Sequence, residues 1–423
     1  MKTLMIMLCV MLLCGCYHGR EPNDIAYILA MGFDKGENES YKITVQYAKP
    51  REISGGASAE GGQGGSTIGN IVVEAPTFFE GVNTANQILS KEFSLAHAKV
   101  FVFSNEIASE GIAELMQVMA RSEEIRPDVY LAVSRCPAEE FLSQVKPSME
   151  VNPAKYYQLI FESNDTIPAT SAVEFYSYHS SAERDCALPL AGVSGGGEES
   201  GGKERSQTES EPAEGDSENP AQKEAAVNEG TYQHGVRNYL AGETAVKNTN
   251  KAEIVGSAVF RGDRLCGELG SIETELLNMI CGDFHESYAV FDVDGQNVGV
   301  RLMEGKRPRI EVDTAGETPR IKVKISLKGD FTSLPNGYIG EEDIPRFEET
   351  AEKAIEEGLS SLFWRLSREL GADAAGFGTA AKRSFKDWQS FYDYGWEEKF
   401  RQAEFSAEVS VKVSHTGLTM KNG

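Results

Sequence analysis

Apolar residues recur along this chain in two spacings, every second position and every third or fourth, and the switches between them mark out the elements. Ile25 to Met31 and the alternating Ile43, Val45 and Tyr47 read as paired strands, with Gly32 to Gly36 beginning the turn between them. Thr84 to Leu89 fits a short helix. Val100 to Phe103 is a continuous apolar run, as in strands buried on both faces. From Asn105 the spacing changes, and Ile107, Ile112, Leu115 and Met119 form one helical stripe. Val129 to Val133 is another buried strand, so a β-α-β element in a mixed sheet is expected. Beyond Cys136 the signals weaken. Ala138 to Gln144 and Pro153 to Glu162 are read as helices.

The second half is patterned more sharply. Ile254 to Phe260 is a strand, followed by the turn Arg261 to Arg264. Thr274 to Ile280 is helical, with Gly282 placed to cap it. Tyr288 to Val293 and Val298 to Leu302 flank Asp294-Gly295 as a hairpin. Ile321, Val323, Ile325 and Leu327 alternate with Lys322, Lys324 and Ser326, the pattern of a strand with one wet face. The longest helix runs from Asp343, a suitable N-cap, through Pro345 in the first turn to Leu370, and Gly371 stops it. Its stripe is Phe347, Ala351, Ile355, Leu359, Leu362, Leu366 and Leu370. Ala407, Val409, Val411 and Val413 make a last alternating strand. The fold class expected is α+β and multi-domain: mixed sheets packed on helices, with a C-terminal sheet wrapped on one long helix.

The first residues break this pattern. After Met1-Lys2-Thr3, Leu4 to Leu13 is unbroken apolar sequence. Roughly ten residues cannot span a hydrocarbon core that needs about 20, so the segment reads as a cleavable export signal. Leu13-Cys14-Gly15-Cys16 then resembles a bacterial lipobox, with cleavage before Cys16 and fatty acyl chains on that residue. Several chains anchor durably, because each buried CH₂ adds about 0.8 kcal/mol. No later segment is apolar for long enough to cross a bilayer, so the remainder reads as soluble.

Two stretches carry almost no apolar side chains. Gly192 to Glu229 is rich in Gly, Glu, Ser and Pro, a composition that predicts disorder. Ser54 to Gly65 is a shorter glycine tract, read as a loop between strands and not as a phosphate-binding loop, since no Gly-Lys-Ser/Thr follows. The domain plan is therefore a signal peptide at 1–15, an N-terminal α/β-type domain at 16–191, an acidic linker at 192–235 and a C-terminal α+β domain at 236–420. Residues 138–190 belong either to the N-terminal domain or to a separate small middle unit.

The 423 residues carry 65 acids against 41 bases, a formal charge of −24, which disfavours nucleic acid and anionic lipid as electrostatic partners. Much of that acidity sits in the linker. Of the seven cysteines, Cys9 and Cys14 leave with the signal and Cys16 takes lipid. Cys136, Cys186, Cys266 and Cys281 have no C-x-x-C spacing and no histidine at ligand spacing, so no metal site is expected. Export permits Cys136–Cys186 and Cys266–Cys281 disulfides, and buried free thiols are equally compatible. The six histidines (His18, His97, His179, His234, His285, His415) are scattered. His97, ahead of a buried strand, reads as structural. Acid pairs such as Glu123-Glu124, Glu341-Glu342 and Glu356-Glu357 read as solvated faces. Trp388, Phe391, Tyr392, Tyr394, Trp396 and Phe400 form either a seam seating the C-terminal segment or the wall of a sugar or amine site. No catalytic constellation and no cofactor motif appears.

Taken together, these stretches resemble the Ger(x)C lipoproteins, the C subunits of nutrient germinant receptors of spore-forming bacteria. Arg20 to Ala26 running to Met31-Gly32-Phe33-Asp34 looks like the family's opening strand, although Tyr17 stands where the family has a tryptophan and Phe33-Asp34 where it has Ile-Asp. Ser94 to Val100 with Ser104 to Ala108 looks like its His-containing strand and following helix. Ala258 to Leu269 with Glu273-Thr274, and Gly371-Ala372-Asp373 with Gly376-Phe377-Gly378, Trp388 and Trp396, look like its C-terminal blocks. The resemblance implies a non-catalytic protein without cofactors, lipid-anchored on the outer surface of the spore's inner membrane. Its partners would be the membrane-embedded A and B subunits. The competing reading is a lipid-anchored solute-binding protein of a transporter, and an anchored cell-wall hydrolase ranks last.

Overall fold

The structure, a computed structural model, describes residues 25–38, 40–49, 67–89, 91–147, 150, 152–162, 164, 166–168, 170–195, 238–244, 249–334, 340 and 342–415. The signal with its lipobox, the glycine tract at 54–65 and the linker from residue 196 to 237 lie outside these residues.

A nine-stranded mixed sheet forms from β1 (Ile25–Lys35), β2 (Tyr41–Ala48), β3 (Ile68–Ala75), β4 (Glu92–Ser94), β5 (Val100–Ser104), β6 (Tyr130–Ser134), β7 (Cys186–Val193), β8 (Ala252–Arg261) and β9 (Arg264–Leu269). Its order is β3-β2-β1-β5-β6-β7-β8-β9, with β4 also beside β1. The central strands β1, β5, β6 and β7 are parallel, and antiparallel strands extend both ends. Parallel neighbours need crossovers, which here are helical. They are α1 (Phe78–Ile88), α2 (Asn105–Glu110), α3 (Ala113–Ala120), α4 (Ala138–Gln144), α5 (Pro153–Glu162) and α6 (Ala172–His179). In β5, Phe101 and Phe103 point to one face and join α2, α3 and α6, while Val100 and Val102 join α4 and α5 on the other. That is why the run Val100–Phe103 is apolar throughout.

Several boundaries differ from the pattern. Gly32 to Lys35 are strand, not turn, because Gly32 and Phe33 pair with Val102 and Phe103. Gly32 lies under α4, where a Cβ would come within 3.0 Å of Ala138 Cβ. The helix read at Thr84–Leu89 begins at Phe78, after Thr77 caps it by accepting from Glu80 N. The stripe from Ile107 to Met119 is buried as expected, but Gly111, at φ 119°, splits it into two helices. α5 packs Tyr157 and Phe161 against the large sheet's face, where Tyr157 Oη donates to Gln46 Oε1.

β7 has no counterpart in the sequence reading. Pro189 and Gly192 disguise it, and the register shift between Pro189 and Ala191 accommodates a proline in a central strand. It enters the segment read as linker at Gly192 and Val193. It also pairs antiparallel with β8, so the sheet continues from the N-terminal half into the C-terminal half.

A second sheet, in the order β10 (Glu286–Val293), β11 (Gln296–Asp313), β12 (Arg320–Ser333), β13 (Glu404–His415), packs on α7 (Ser271–Cys281) and α8 (Ile344–Trp364). Asp294 and Gly295, at φ 57° and 78°, make the expected tight turn between β10 and β11. α8 runs on into a π-helical turn, Arg365–Leu370, which Gly371 ends in the left-handed region. Three glutamates of α8 reach the open edge of β13: Glu348, Glu352 and Glu356 accept from Val413 N, Val411 N and Val409 N at 2.9, 3.0 and 2.9 Å. The match is geometric. Four helical residues rise about 6 Å and two strand residues about 6.6 Å.

Candidate functional site

The closing segment holds α9 (Phe377–Ala381), α10 (Trp388–Tyr394) and α11 (Trp396–Phe400), and α10 and α11 line one cleft of about 580 Å³ with α6 and the turn between β8 and β9. Two aspartates build it, Asp373 buried and Asp185 half-buried. Asp185, just ahead of β7, accepts from Gly262 N with Oδ1 and from Asp373 N with Oδ2, both at 2.9 Å, and its own N–H donates to the Asp373 carbonyl at 3.0 Å. Asp373 in turn accepts from Phe377 N (2.9 Å), Gly378 N (2.7 Å) and Trp396 Nε1 (2.9 Å). A Cβ on Gly378 would fall 2.4 Å from the Glu183 carbonyl, so only glycine permits this approach.

Burial pushes the Asp373 carboxyl up to about 6 against the downward pull of those three donors. Burial also raises Asp185. Both carboxylates therefore act as hubs that tie the closing segment to the large sheet, and their oxygens are already engaged.

The remaining polar groups of the wall are mixed. Arg184 lies beneath the cleft with its Cζ 4.4 Å from the Tyr178 ring centroid. Arg261 stands exposed on the turn, and Glu397 and Glu398 form the opposite lip. The predicted aromatic set divides between its two readings. Phe391, Trp396 and Phe400 are buried and seat the segment, while Tyr392 is 63% exposed beside the cleft. Trp388 lies at the surface under the Lys382 ammonium, 4.3 Å from its ring.

The other sequence candidates do not gather here. Cys16, Leu13, Cys14 and Gly15 lie outside the described residues. His97 is exposed, edge-on to the Tyr27 ring at 5.1 Å. Cys136, Cys186, Cys266 and Cys281 are free thiols. Burial pushes Cys186 and Cys266 up to about 12 and Cys281 to about 11, so none is a ready thiolate. Glu356, read as part of a solvated acid pair, instead binds the edge of β13. Among the described residues, no group of three or more His, Cys, Asp or Glu could hold a metal ion. Sequence reasoning missed Asp185 and Arg184 as site residues, and took Arg261 and Asp373 only as parts of blocks. A lone acid among small residues, Gly371 to Gly378, was the available signal.

The fold and the aspartate network define a two-sheet α+β protein whose closing segment is fastened to the large sheet at this cleft. Comparison makes this specific: the chain belongs to the Ger(x)C family of spore germination proteins. The profile "Spore germination protein N-terminal domain" matches residues 18–193, and "Spore germination B3/ GerAC like, C-terminal" matches residues 255–417. Among curated relatives, the "Putative spore germination protein YfkR" of Bacillus subtilis is 21% identical, covering 99% of this chain and 97% of the relative. "Spore germination protein B3" of the same organism is 18% identical over 97% of this chain and 96% of its own length. The crystal structure of the GerBC protein shares the fold, with a TM-score of 0.53 and 13% identity, covering 90% of this chain and 96% of that one. The α+β class expected from the sequence is thus the class observed, and the family places the chain in spore germination.

Proposed function

We propose that this chain is a non-catalytic, lipid-anchored subunit of a spore nutrient germinant receptor, held by acylated Cys16 on the outer surface of the spore's inner membrane. It works by assembling with membrane-embedded A and B subunits. The observation that carries this reading is the match of both germination profiles, in order, across residues 18–193 and 255–417, behind a lipobox at Leu13 to Cys16. Only eight residues separate Cys16 from Ile25, the first of β1. At about 3.3–3.6 Å per residue that tether reaches some 30 Å, which keeps the large sheet near the bilayer.

Two experiments test the reading. Cys16→Ala is expected to block maturation or release the protein from membranes, and a variant that matures and stays membrane-bound refutes the anchor. Deleting the gene is expected to abolish the response of dormant spores to particular nutrients while leaving dormancy intact. Normal germination with lost uptake of one solute would favour a transporter's solute-binding protein instead.

A further inference from the structure

Four strands end the two sheets, and the edges of three are guarded. β13 is held by the glutamates of α8, the Glu268 carbonyl of β9 accepts from Arg365 Nη2 at 2.8 Å, and β10 carries Glu286 and Asp292. β3 has no such guard, because its one charged side chain, Glu74, turns back to accept from Ser40 Oγ and the Glu37 N–H. Lys49 N donates to the Thr67 carbonyl at 2.9 Å, which sets the phase of the β2–β3 ladder. Gly69, Ile71, Val73 and Ala75 therefore turn their backbone groups to β2, and Asn70, Val72 and Glu74 turn theirs outward. These three residues are exposed, and among the described residues their backbone N–H and carbonyl groups have no hydrogen-bond partner. The edge is apolar on both faces. Val72 is 37% exposed on one, and Ile71 is half-buried on the other. Over that second face α1 turns Gly81 toward β2 and β3, where a Cβ would meet Ile43 Cδ1 at 2.5 Å and Ala75 Cβ at 3.5 Å. Ile88, seven residues on and so on the same side of the helix, is 62% exposed.

An exposed edge with free backbone groups and apolar flanks is built to accept one more strand, with main-chain hydrogen bonds giving affinity and the flanks selecting side chains. Charge decides whose strand it is. Glu37 and Glu74 meet at the end of β3, Glu80 stands in the first turn of α1 just beyond, and Lys42, opposite Glu74 on β2, binds Glu139. The chain as a whole carries 65 acids against 41 bases, so a second copy is repelled and a basic segment is drawn in. We propose that the open edge of β3 takes an extended, basic segment of a partner polypeptide as a further strand of the large sheet. Its backbone pairs with Asn70, Val72 and Glu74, its apolar side chains meet Val72 on one face and Ile71 and Ile88 on the other, and its basic residues lie by the glutamates. This goes beyond the receptor-subunit reading and does not depend on it.

The full chain would be titrated by calorimetry with a synthetic peptide of alternating valine and threonine that carries two lysines at each end, and with the same peptide carrying glutamates instead. The lysine peptide is expected to bind with a Kd of about 1 mM or tighter, and the glutamate peptide at least about tenfold more weakly. With the lysine peptide at about ten times its Kd, the amides of Asn70, Val72 and Glu74 are expected to exchange hydrogen about tenfold more slowly, and those of Ile71 and Val73, already bonded to β2, to change less. Val72→Pro removes an N–H that nothing in the chain accepts and is expected to weaken the lysine peptide about tenfold or more. Val72→Lys keeps that N–H but repels the peptide, is expected to weaken it as well, and decides alone if the proline variant fails to fold. The proposal is overturned if the lysine peptide shows no saturable binding, if the glutamate peptide binds as tightly, or if the variants leave the affinity intact. Slowed exchange at the same three amides on raising the protein concentration, without peptide, would overturn it in favour of a second copy.

Discussion

Asp373 is buried with three N–H groups directed at it, and removing it would leave three donors without partners. Each unsatisfied buried group costs about 1–3 kcal/mol, so Asp373→Ala is expected to lower unfolding stability by at least about 3 kcal/mol in urea titrations. A loss below about 1 kcal/mol would mean that water replaces the carboxylate. The same residue sets a pH dependence. Its folded pKa, about 6, is raised above the ordinary carboxylate value. The folded state therefore holds this proton more tightly, and the group's contribution is greatest below the unfolded pKa and declines as pH rises through about 6. The stability advantage of the wild type over Asp373→Asn, which cannot titrate, is expected to shrink between pH 4 and pH 7. A gap that widens with pH would contradict this assignment. In the sequence Asp373 stands 188 positions from Asp185, and nothing local announces that their backbones meet. The acid was visible, but the partnership was not.

At the scale of elements, the glutamates of α8 answer a problem set by topology. β13 is the last strand of its sheet, and an open edge offers unpaired N–H groups to any passing strand. Glu348, Glu352 and Glu356 occupy those groups from the side. Replacing all three by alanine is expected to destabilise the protein by about 1–3 kcal/mol in total, since water can still reach an edge, and to promote concentration-dependent association in sedimentation experiments. Gln at the same positions keeps a carbonyl acceptor and is expected to remain monomeric at concentrations where the alanine variant associates. Equal association of both variants would show that charge, not the hydrogen bonds, guards the edge. The helix itself was legible, because its apolar stripe and its stop at Gly371 are local signals. The comb was not, because its glutamates lie on the polar side of that stripe and look like any solvated face. The hairpin at Asp294-Gly295 was legible for the same local reason, whereas β7, with Pro189 in its middle, owes its conformation to neighbours far away in sequence.

For the whole molecule, the sequence shows a composition break near the middle, and the family profiles end and resume at 193 and 255. The sheet ignores that break. The chain leaves it at Val193 and re-enters at Ala252, directly opposite, so the two points are ladder partners. Departure and return at adjacent strands means that the two ends of the intervening chain already meet, and its residues 238–244 pack back on the sheet, with Ala241 buried and its carbonyl accepting from Arg135. It also means that covalent continuity there is dispensable. A single protease cut between residues 200 and 230 is expected to yield two polypeptides that co-elute as one particle, held by the β7–β8 ladder and by the aspartate hubs. Separation of the fragments under native conditions would show that the peptide chain, not the sheet, holds the halves together. The protein could then be produced as two separately encoded pieces that find each other, each completing the other's sheet.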